Sequence, residues 1–160
     1  DFIVSQKLRA VSSDLSRTVI SARSEAVKRN RTVEITPDDE GWGVGWTVNE
    51  LDASSAIVEP PLFTHVQSGD VTITPTTNPS GQDLRLSPSG RTNVRVNFEI
   101  KVGPEQRGTR GCLELGNDGR SDYCPGACPV ERCASGALEG QCRCPINRQG
   151  EDGTCSPCPT

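Results

Sequence analysis

The chain has 160 residues, of which 32% are hydrophobic and 24% charged, and its formal net charge at pH 7 is −4. This length is sufficient for one domain with a hydrophobic core of its own, and no segment approaches the ~20 apolar residues that a membrane-spanning helix needs. All eight cysteines lie at or after Cys112, which is typical of a secreted or periplasmic protein with disulfides and argues against a cytosolic one.

Residues 1–30 are predicted to form one long amphipathic helix. Apolar side chains recur at steps of three and four residues, which places them on one helical face. These residues are Val4, Leu8, Val11, Leu15, Val19, Ala22 and Ala26. The opposite face is polar and carries Lys7, Arg9, Ser13, Arg17, Ser24 and Lys28. We expect the helix to be anchored to a sheet through the core residues Leu8, Val11, Leu15 and Val19.

The two ends of this helix differ. Lys28 and Arg29 lie in the last turn, where cations complement the helix dipole, and Asn30 can adopt the left-handed conformation of a cap. At the other end, Asp1 is followed by an apolar start at residues 2–4 without a capping box. We therefore expect the helix to continue further toward the N-terminus in a longer protein. The alternative is that Asp1 is the N-cap of a complete helix.

A β-hairpin is predicted directly after the helix. Val33 and Ile35 alternate with polar residues, and residues 37–41 form a turn. The three acids of this turn, residues 38–40, are interpreted as solvated, because they lack the spaced oxygen ligands of a calcium loop.

The second strand of the hairpin is expected to divide its residues between two faces. One face carries Trp42, Val44, Trp46 and Val48. Gly43 and Gly45 on the other face would let a second backbone or the helix approach closely. The two tryptophans are interpreted as core residues in preference to a ligand-stacking platform.

The remaining chain up to residue 120 reads as short strands. Residues 49–69 are expected to be rich in loops, with Pro60 and Pro61 ending any strand. Further strands are predicted at 71–74, 84–86, 94–100 and 112–115. The resulting fold class is α+β, with a long N-terminal helix packed on an antiparallel sheet. We divide the chain into a helix (1–30), a sheet domain (31–120) and a cysteine-rich tail (121–160).

Several segments together indicate a family. They are Ala22-Arg23-Ser24-Glu25-Ala26, Lys28-Arg29-Asn30, Gly45-Trp46, residues 84–90 (LRLSPSG) and residues 111–119 (GCLELGNDG). In these segments the chain resembles the GspH/FimT family of minor pilins and pseudopilins, over about residues 1–120. The resemblance implies a type IV pilin-like fold. It also implies that the family's GFTLIE-like signature and apolar half-helix are missing here, so that the fragment itself is expected to be soluble.

The resemblance implies a structural subunit and no enzyme. The expected function is that of a minor pilin of a type IV pilus, in the tip or the initiating complex for pilus assembly; a minor pseudopilin of a type II secretion system is the alternative. The implied partners are other minor and major pilins, a tip adhesin, and the inner membrane through the missing helix. The implied location is the inner membrane facing the periplasm before assembly, then the pilus outside the cell.

DNA is a further, less favoured partner. Some proteins of the family resemble DNA receptors for natural transformation, with a Gly-Arg-x-Arg motif near the end of the sheet. Here the matching residues 119–122 read Gly-Arg-Ser-Asp, so an acid replaces the second Arg. Basic side chains would bind phosphates without sequence preference. The candidates for DNA contact are Arg91, Arg95, Arg107, Arg110 and Arg120.

Charge is distributed in zones along the chain. Residues 1–33 carry seven Lys or Arg against three acids, whereas residues 34–83 carry nine acids and no Lys or Arg. Residues 84–120 are again basic, with seven Lys or Arg against four acids. Such zones suit a subunit that stacks on its neighbours through complementary patches, and they equally suit a solvated surface without a partner.

The tail from Tyr123 onward has few large apolar residues, so burial alone cannot offset the entropy lost on ordering it. Disulfides would do so by restricting the unfolded chain, each contributing ~2 to 4 kcal/mol. The candidates are Cys112, Cys124, Cys128, Cys133, Cys142, Cys144, Cys155 and Cys158. Their pairing stays open, since four bridges allow on the order of 100 connectivities.

The tail allows two further interpretations. Four thiolates at Cys142, Cys144, Cys155 and Cys158 could hold a tetrahedral zinc, but disulfides are favoured by the compartment. The tail is either the place of contacts specific to this protein or a protease-resistant cap without a partner. Cys112 lies on a predicted strand, so its bond would join the tail to the sheet.

No catalytic constellation is found. The single histidine, His65, has no evident nucleophile partner in a triad-like pattern. We therefore expect no catalytic residues, no metal site and no cofactor.

Overall fold

The structure is a computed structural model that describes residues 2–67, 70–76, 83–103, 109–126 and 128. Within these residues one helix, α1 (Phe2–Arg29), precedes eight strands. The strands are β1 (Val33–Asp38), β2 (Gly41–Leu51), β3 (Ile57–Val66), β4 (Val71–Pro75), β5 (Leu84–Leu86), β6 (Val96–Val102), β7 (Arg110–Leu115) and β8 (Ser121–Pro125).

Helix α1 follows the apolar periodicity of its sequence. Six residues of the predicted stripe, Leu8, Val11, Leu15, Val19, Ala22 and Ala26, are at most 2% exposed, and Val4 is half-buried. The helix ends as expected, since Asn30 has a φ of 51° and the Arg31 N–H donates to the Ala26 carbonyl at 3.1 Å. This is the geometry of a left-handed C-terminal cap.

The described strands form two antiparallel sheets, where the sequence suggested one. Their orders are β3-β2-β1-β5 and β4-β6-β7-β8. The chain passes from the first sheet to the second between β3 and β4. Strand β4 pairs with β6 along residues 71–75 and not with β3. The α+β, pilin-like class is confirmed.

The core lies between α1 and the two sheets. Trp46 and Phe98 are its largest fully buried side chains, and Leu8, Leu15 and Leu113 pack in the same cluster. Since the indole is buried, its N–H needs a partner. Trp46 Nε1 donates to Thr18 Oγ1 at 2.8 Å, which ties β2 to the middle of α1.

The prediction that residues 49–69 are loop-rich is wrong. Strand β2 continues to Leu51, and β3 runs through both Pro60 and Pro61. The prolines are tolerated for two reasons: β3 is an edge strand, and its pairing with β2 slips between Val48 and Glu50. At an edge or a bulge the missing N–H of proline costs no ladder hydrogen bond.

Val44 departs from the predicted face of β2. Trp42, Trp46 and Val48 are buried, but Val44 is 38% exposed. The register of β1 with β2 slips after Pro37, so that residues 42–45 of β2 have no partner on β1.

The predicted close approach at the two glycines is confirmed. The backbones of neighbouring strands, and not the helix, come close to them. A Cβ at Gly43 would collide with the Val71 carbonyl of β4, and one at Gly45 with the His65 carbonyl of β3. Gly43 therefore lies where the first sheet meets the second.

Several bounds of the later strands differ from the prediction, and two of these differences change the sheet. Strand β6 begins at Val96 instead of residue 94, because Thr92 and Asn93 bond to a neighbouring turn and to β5. Strand β8 pairs with β7 over residues 121–125, so the sheet extends past the boundary placed at residue 120. No helix in the described part of the chain is long and apolar enough to cross a membrane.

Candidate functional site

A disulfide joins the second sheet to Cys128, which lies shortly after the end of β8 at Pro125. Cys112 of β7 is fully buried and bonded to Cys128, with a Cα to Cα distance of 4.9 Å. Cys124 of β8 lies directly opposite Cys112 in the strand register and is also disulfide-bonded. Among the described residues no cysteine is free, and the expectation of disulfides is confirmed. The remaining candidates, Cys133, Cys142, Cys144, Cys155 and Cys158, lie outside the described residues.

The candidate DNA-contacting arginines fall at two ends of the second sheet. Arg91, Arg95 and Arg120 lie at the end where β7 turns into β8, since Val96 pairs with Leu115. Arg110 begins β7 and lies at the opposite end, with its Nη1 3.7 Å from Glu99 Oε1. Arg107 lies outside the described residues.

Two tight turns meet at the arginine-rich end of the sheet. The Gly90 N–H donates to the Ser87 carbonyl at 2.8 Å, and the Gly119 N–H to the Gly116 carbonyl at 3.1 Å. Both Gly90 and Gly119 have a φ of 78°, a conformation that glycine adopts readily and other residues avoid. Thr92 joins the turns, because its N–H donates to the Asn117 carbonyl at 3.0 Å.

Arg23 of α1 covers both turns. A Cβ added at Gly90 would lie 2.7 Å from Arg23 Nε, and one at Gly119 would lie 3.2 Å from Arg23 Cδ. We call the contact of Arg23 with these two turns the Arg23 joint. It brings together three of the segments on which the family resemblance rests: 22–26, 84–90 and 111–119. Sequence reasoning missed it; the available signal was that both later segments end in a short turn closed by glycine.

Several oppositely charged side chains form ion pairs within the molecule. Arg29 binds Glu25 at 2.6 Å and Glu50 at 2.9 Å, and Arg85 binds the buried carboxylate of Glu34 at 2.6 Å. The hydrogen bond from Arg29 lowers the pKa of Glu25, and the same bond raises the pKa of Arg29. Part of the acidic zone is therefore neutralised by the basic zones before any partner binds.

The tryptophans belong to an aromatic cluster in the core. Trp42 lies 6.2 Å from Trp46 and 5.0 Å from Phe98, ring centre to ring centre. His65 stacks on Trp46 at 4.3 Å, and its Nε2 lies 3.2 Å from Gln67 Oε1. Trp46 is 1% and Trp42 9% exposed, so the interpretation as core residues is confirmed.

The described residues contain no cluster of three or more His, Cys, Asp or Glu that could hold a metal ion. Instead, the arrangement provides surfaces: a basic end around the Arg23 joint, an open β3 edge and an exposed polar face of α1. Such surfaces suit contacts with other macromolecules.

Comparison with known proteins identifies the family. The sequence profile described as Type II transport protein GspH matches residues 12–119, which is more than half of the chain. The chain belongs to the GspH family. The resemblance to GspH/FimT minor pilins and pseudopilins is thereby confirmed. A search of curated proteins gives no significant match.

Solved structures of a type IV minor pilin and of a minor pseudopilin share the fold. The type IV minor pilin FimU of Pseudomonas aeruginosa (strain PAO1) superimposes with a TM-score of 0.62 at 23% identity, over 78% of this chain and 93% of FimU. A second crystal form of FimU gives 25% identity and a TM-score of 0.57, over 74% of this chain and 93% of FimU. The minor pseudopilin EpsH of the Vibrio cholerae type 2 secretion system gives a TM-score of 0.57 at 9% identity, over 74% of this chain and 96% of EpsH.

The GspH family and this fold define a minor pilin or pseudopilin of a type IV pilus or a type II secretion system. Proteins of this family are periplasmic or associated with the pilus. They assemble with other pilins or pseudopilins. Both family and fold are those of structural subunits and not of enzymes.

Proposed function

We propose that this chain is a minor pilin of a type IV pilus, placed in the tip or initiating complex for assembly. The observation that carries the proposal is the difference in identity at similar coverage. FimU, a type IV minor pilin, is 23 to 25% identical to this chain, and EpsH, a pseudopilin, 9 to 12%. The proposed partners are other minor and major pilins and a tip adhesin, with the inner membrane as the site before assembly.

Deletion of the gene separates the two systems. In the deletion strain we expect surface pili, counted by electron microscopy, to be lost or strongly reduced, while secretion of type II substrates continues. Re-expression of the intact gene should restore the pili. Normal pili together with failed secretion would overturn the proposal and assign the chain to a type II secretion system.

A second candidate function is DNA binding at the basic end of the second sheet. It is favoured by Arg91 and Arg120, which directly follow the two glycines that Arg23 contacts. It is opposed by two acids that flank Arg120, Asp118 and Asp122. Asp118 lies 3.7 Å from Arg120 and neutralises part of its charge.

A gel shift with double-stranded DNA at low salt tests this candidate. Binding should weaken as salt rises, because bound phosphates release their counterions. Arg120→Ala should weaken it further, whereas Arg110→Ala, at the other end of the sheet, should leave it nearly unchanged. A shift that is absent at low salt, or equally reduced by both variants, would eliminate this site.

A further inference from the structure

A groove runs between the middle of α1 and the edge of the second sheet. Its volume is about 360 Å³, within the range of about 300 to 1,000 Å³ that is usual for binding pockets. Residues of β7 and β8 form one side of the groove. The α1 side carries Arg9, Ser13, Arg17 and Ile20. Where the two sides meet, the hydroxyl oxygens of Ser16 and Ser121 lie 2.6 Å apart.

Two arginines of the groove are left without an acid. Arg9 and Arg17 are exposed, and within the described ranges neither forms an ion pair, not even with Asp14 on the same helix. The ion pairs among the described residues use other bases, namely Arg29, Arg85, Lys101, Arg110 and Arg120. The groove therefore offers two positive charges to a ligand.

Two hydroxyl groups of the groove are also available as donors. Neither Ser13 nor Tyr123 forms a side-chain hydrogen bond with another described residue, and both are half-buried. Burial raises the pKa of Tyr123, whereas the charge of Arg9 opposes this shift, which places Arg9 near the phenol. The Tyr123 hydroxyl thus stays protonated near neutral pH and can donate to an oxygen of a ligand.

An apolar surface adjoins these polar groups. Ile20 is 59% exposed, although it is a large apolar residue on a folded surface, and Leu113 also lines the groove. A ligand that matches the groove therefore carries negative charge together with an apolar group. The groove is narrow and lies between a helix and a sheet edge, so a DNA duplex or a bilayer surface is too broad to enter it.

The spacing of the arginines gives the spacing of the charges on the ligand. Arg9 and Arg17 are eight residues apart on α1, and a rise of 1.5 Å per residue separates them by about 12 Å along the axis. An extended polypeptide rises about 3.3 Å per residue, so this distance spans about four residues. A short extended segment with one acid near each end matches it.

We propose that the groove binds an acidic segment of a neighbouring pilin whose sequence differs from this chain. Two acids about four residues apart face Arg9 and Arg17, an apolar side chain beside them covers Ile20, and the backbone accepts a hydrogen bond from the Ser13 hydroxyl. This inference rests on the proposed function, since a minor subunit of a pilus has other pilins as its neighbours.

Photo-crosslinking in intact cells tests this contact. The protein is produced from the intact gene in the deletion strain, with the photoreactive amino acid p-benzoylphenylalanine in place of Ile20, and the linked peptides are identified by mass spectrometry. We expect a product with another pilin through a peptide that carries two acids about four residues apart. The same amino acid in place of Ser54, which is exposed between β2 and β3, is the control and should not capture this peptide.

Charge reversal then tests the role of the arginines. Arg17→Glu should lower the yield of the product about tenfold or more, because like charges then face each other. Lys28→Glu, the same change on α1 outside the groove, should have little effect. Changing one of the two identified acids of the partner to Lys should restore the yield with Arg17→Glu. The purified Arg17→Glu protein should melt like the parent, since the side chain is exposed.

Several results would overturn the groove contact. They are the lack of any product from position 20, a product with a second copy, with another segment of the same chain, with DNA or with lipid, and a linked peptide without acids. Equal losses for Arg17→Glu and Lys28→Glu, or no restoration by the partner's Lys, would overturn it as well.

The outcomes for the groove and for the proposed function are separable. A failed groove test in cells that lose their pili on deletion of the gene would refute the groove contact alone. A product with a pseudopilin through an acidic segment would keep the groove contact and refute the proposed function. Pili that form normally without the chain would refute the proposed function.

Discussion

Gly119 of the Arg23 joint is a residue whose identity is required by contacts with distant parts of the chain. Gly119 has a φ of 78°, and a side chain there would lie 3.1 Å from the Gly90 carbonyl oxygen and 3.2 Å from Arg23 Cδ. Its sequence context predicted a turn but not the contact, because the turn partner lies about 30 residues earlier in the chain. Trp42 and Trp46 were predictable as core residues, since aromatic side chains are few and strand-spaced.

Gly119→Ala is expected to destabilise the protein by about 2 kcal/mol. The left-handed backbone costs a non-glycine residue ~1 to 2 kcal/mol, and the tight contact with Gly90 and Arg23 adds to this. Gly103→Ala is the matched control, because Gly103 has a φ of 102° and no neighbour that a Cβ would meet. Urea denaturation would measure both. Equal losses for the two variants would mean that the Arg23 joint contributes no packing of its own.

At the scale of helices and strands, the spacing of apolar residues determined which elements could be predicted. The stripe of α1 repeats over six turns, so its buried face was predictable from Val4 to Ala26. Strand β3 was missed, because Pro60 and Pro61 are ordinarily read as breakers and only its position at a sheet edge accommodates them. The pairing of β8 with β7 was also missed, since its residues were assigned to the tail by their polarity.

Leu15→Asp tests the packing of α1 on the sheets. Leu15 is 0% exposed, so the substitution places an unpaired charge in the core and also removes a large apolar side chain. The combined cost is comparable with the whole stability of a small domain, about 5 to 15 kcal/mol. We expect no cooperative thermal transition by circular dichroism. Ser24→Asp, on the exposed face of α1, should melt like the parent; a parent-like melt of Leu15→Asp would contradict this architecture.

At the scale of the whole molecule, the sequence shows the charge zones and the cysteine positions. It does not show which charges form ion pairs or which cysteines are bonded. The zones along the sequence are partly paired in space through Arg29 and Arg85, which only the fold could show. Cys112 was correctly placed on a strand, whereas its bond to Cys128 depends on where β7 meets the following chain. Composition alone carries no information on such pairing.

Removal of this disulfide by Cys112→Ala with Cys128→Ala should destabilise the protein by about 3 kcal/mol. The bond closes a loop with a sequence separation of 16, and restricting the unfolded chain over about 15 residues contributes ~3 kcal/mol. Chemical denaturation measures the loss, and peptide mapping without reductant should recover the linked peptides. A variant as stable as the parent, or a map without this link, would contradict the described connection.

The proposed role of this chain is that of a subunit of a type IV pilus. Immunogold electron microscopy of pili sheared from cells, with antibody raised against this chain, tests it most directly. The control for antibody specificity is pre-immune serum on the same pili, because the deletion strain is expected to make few or none. We predict gold at filament ends in the parent and none in the control. Pili that carry no label at any position, from cells that make the protein, would contradict the claim.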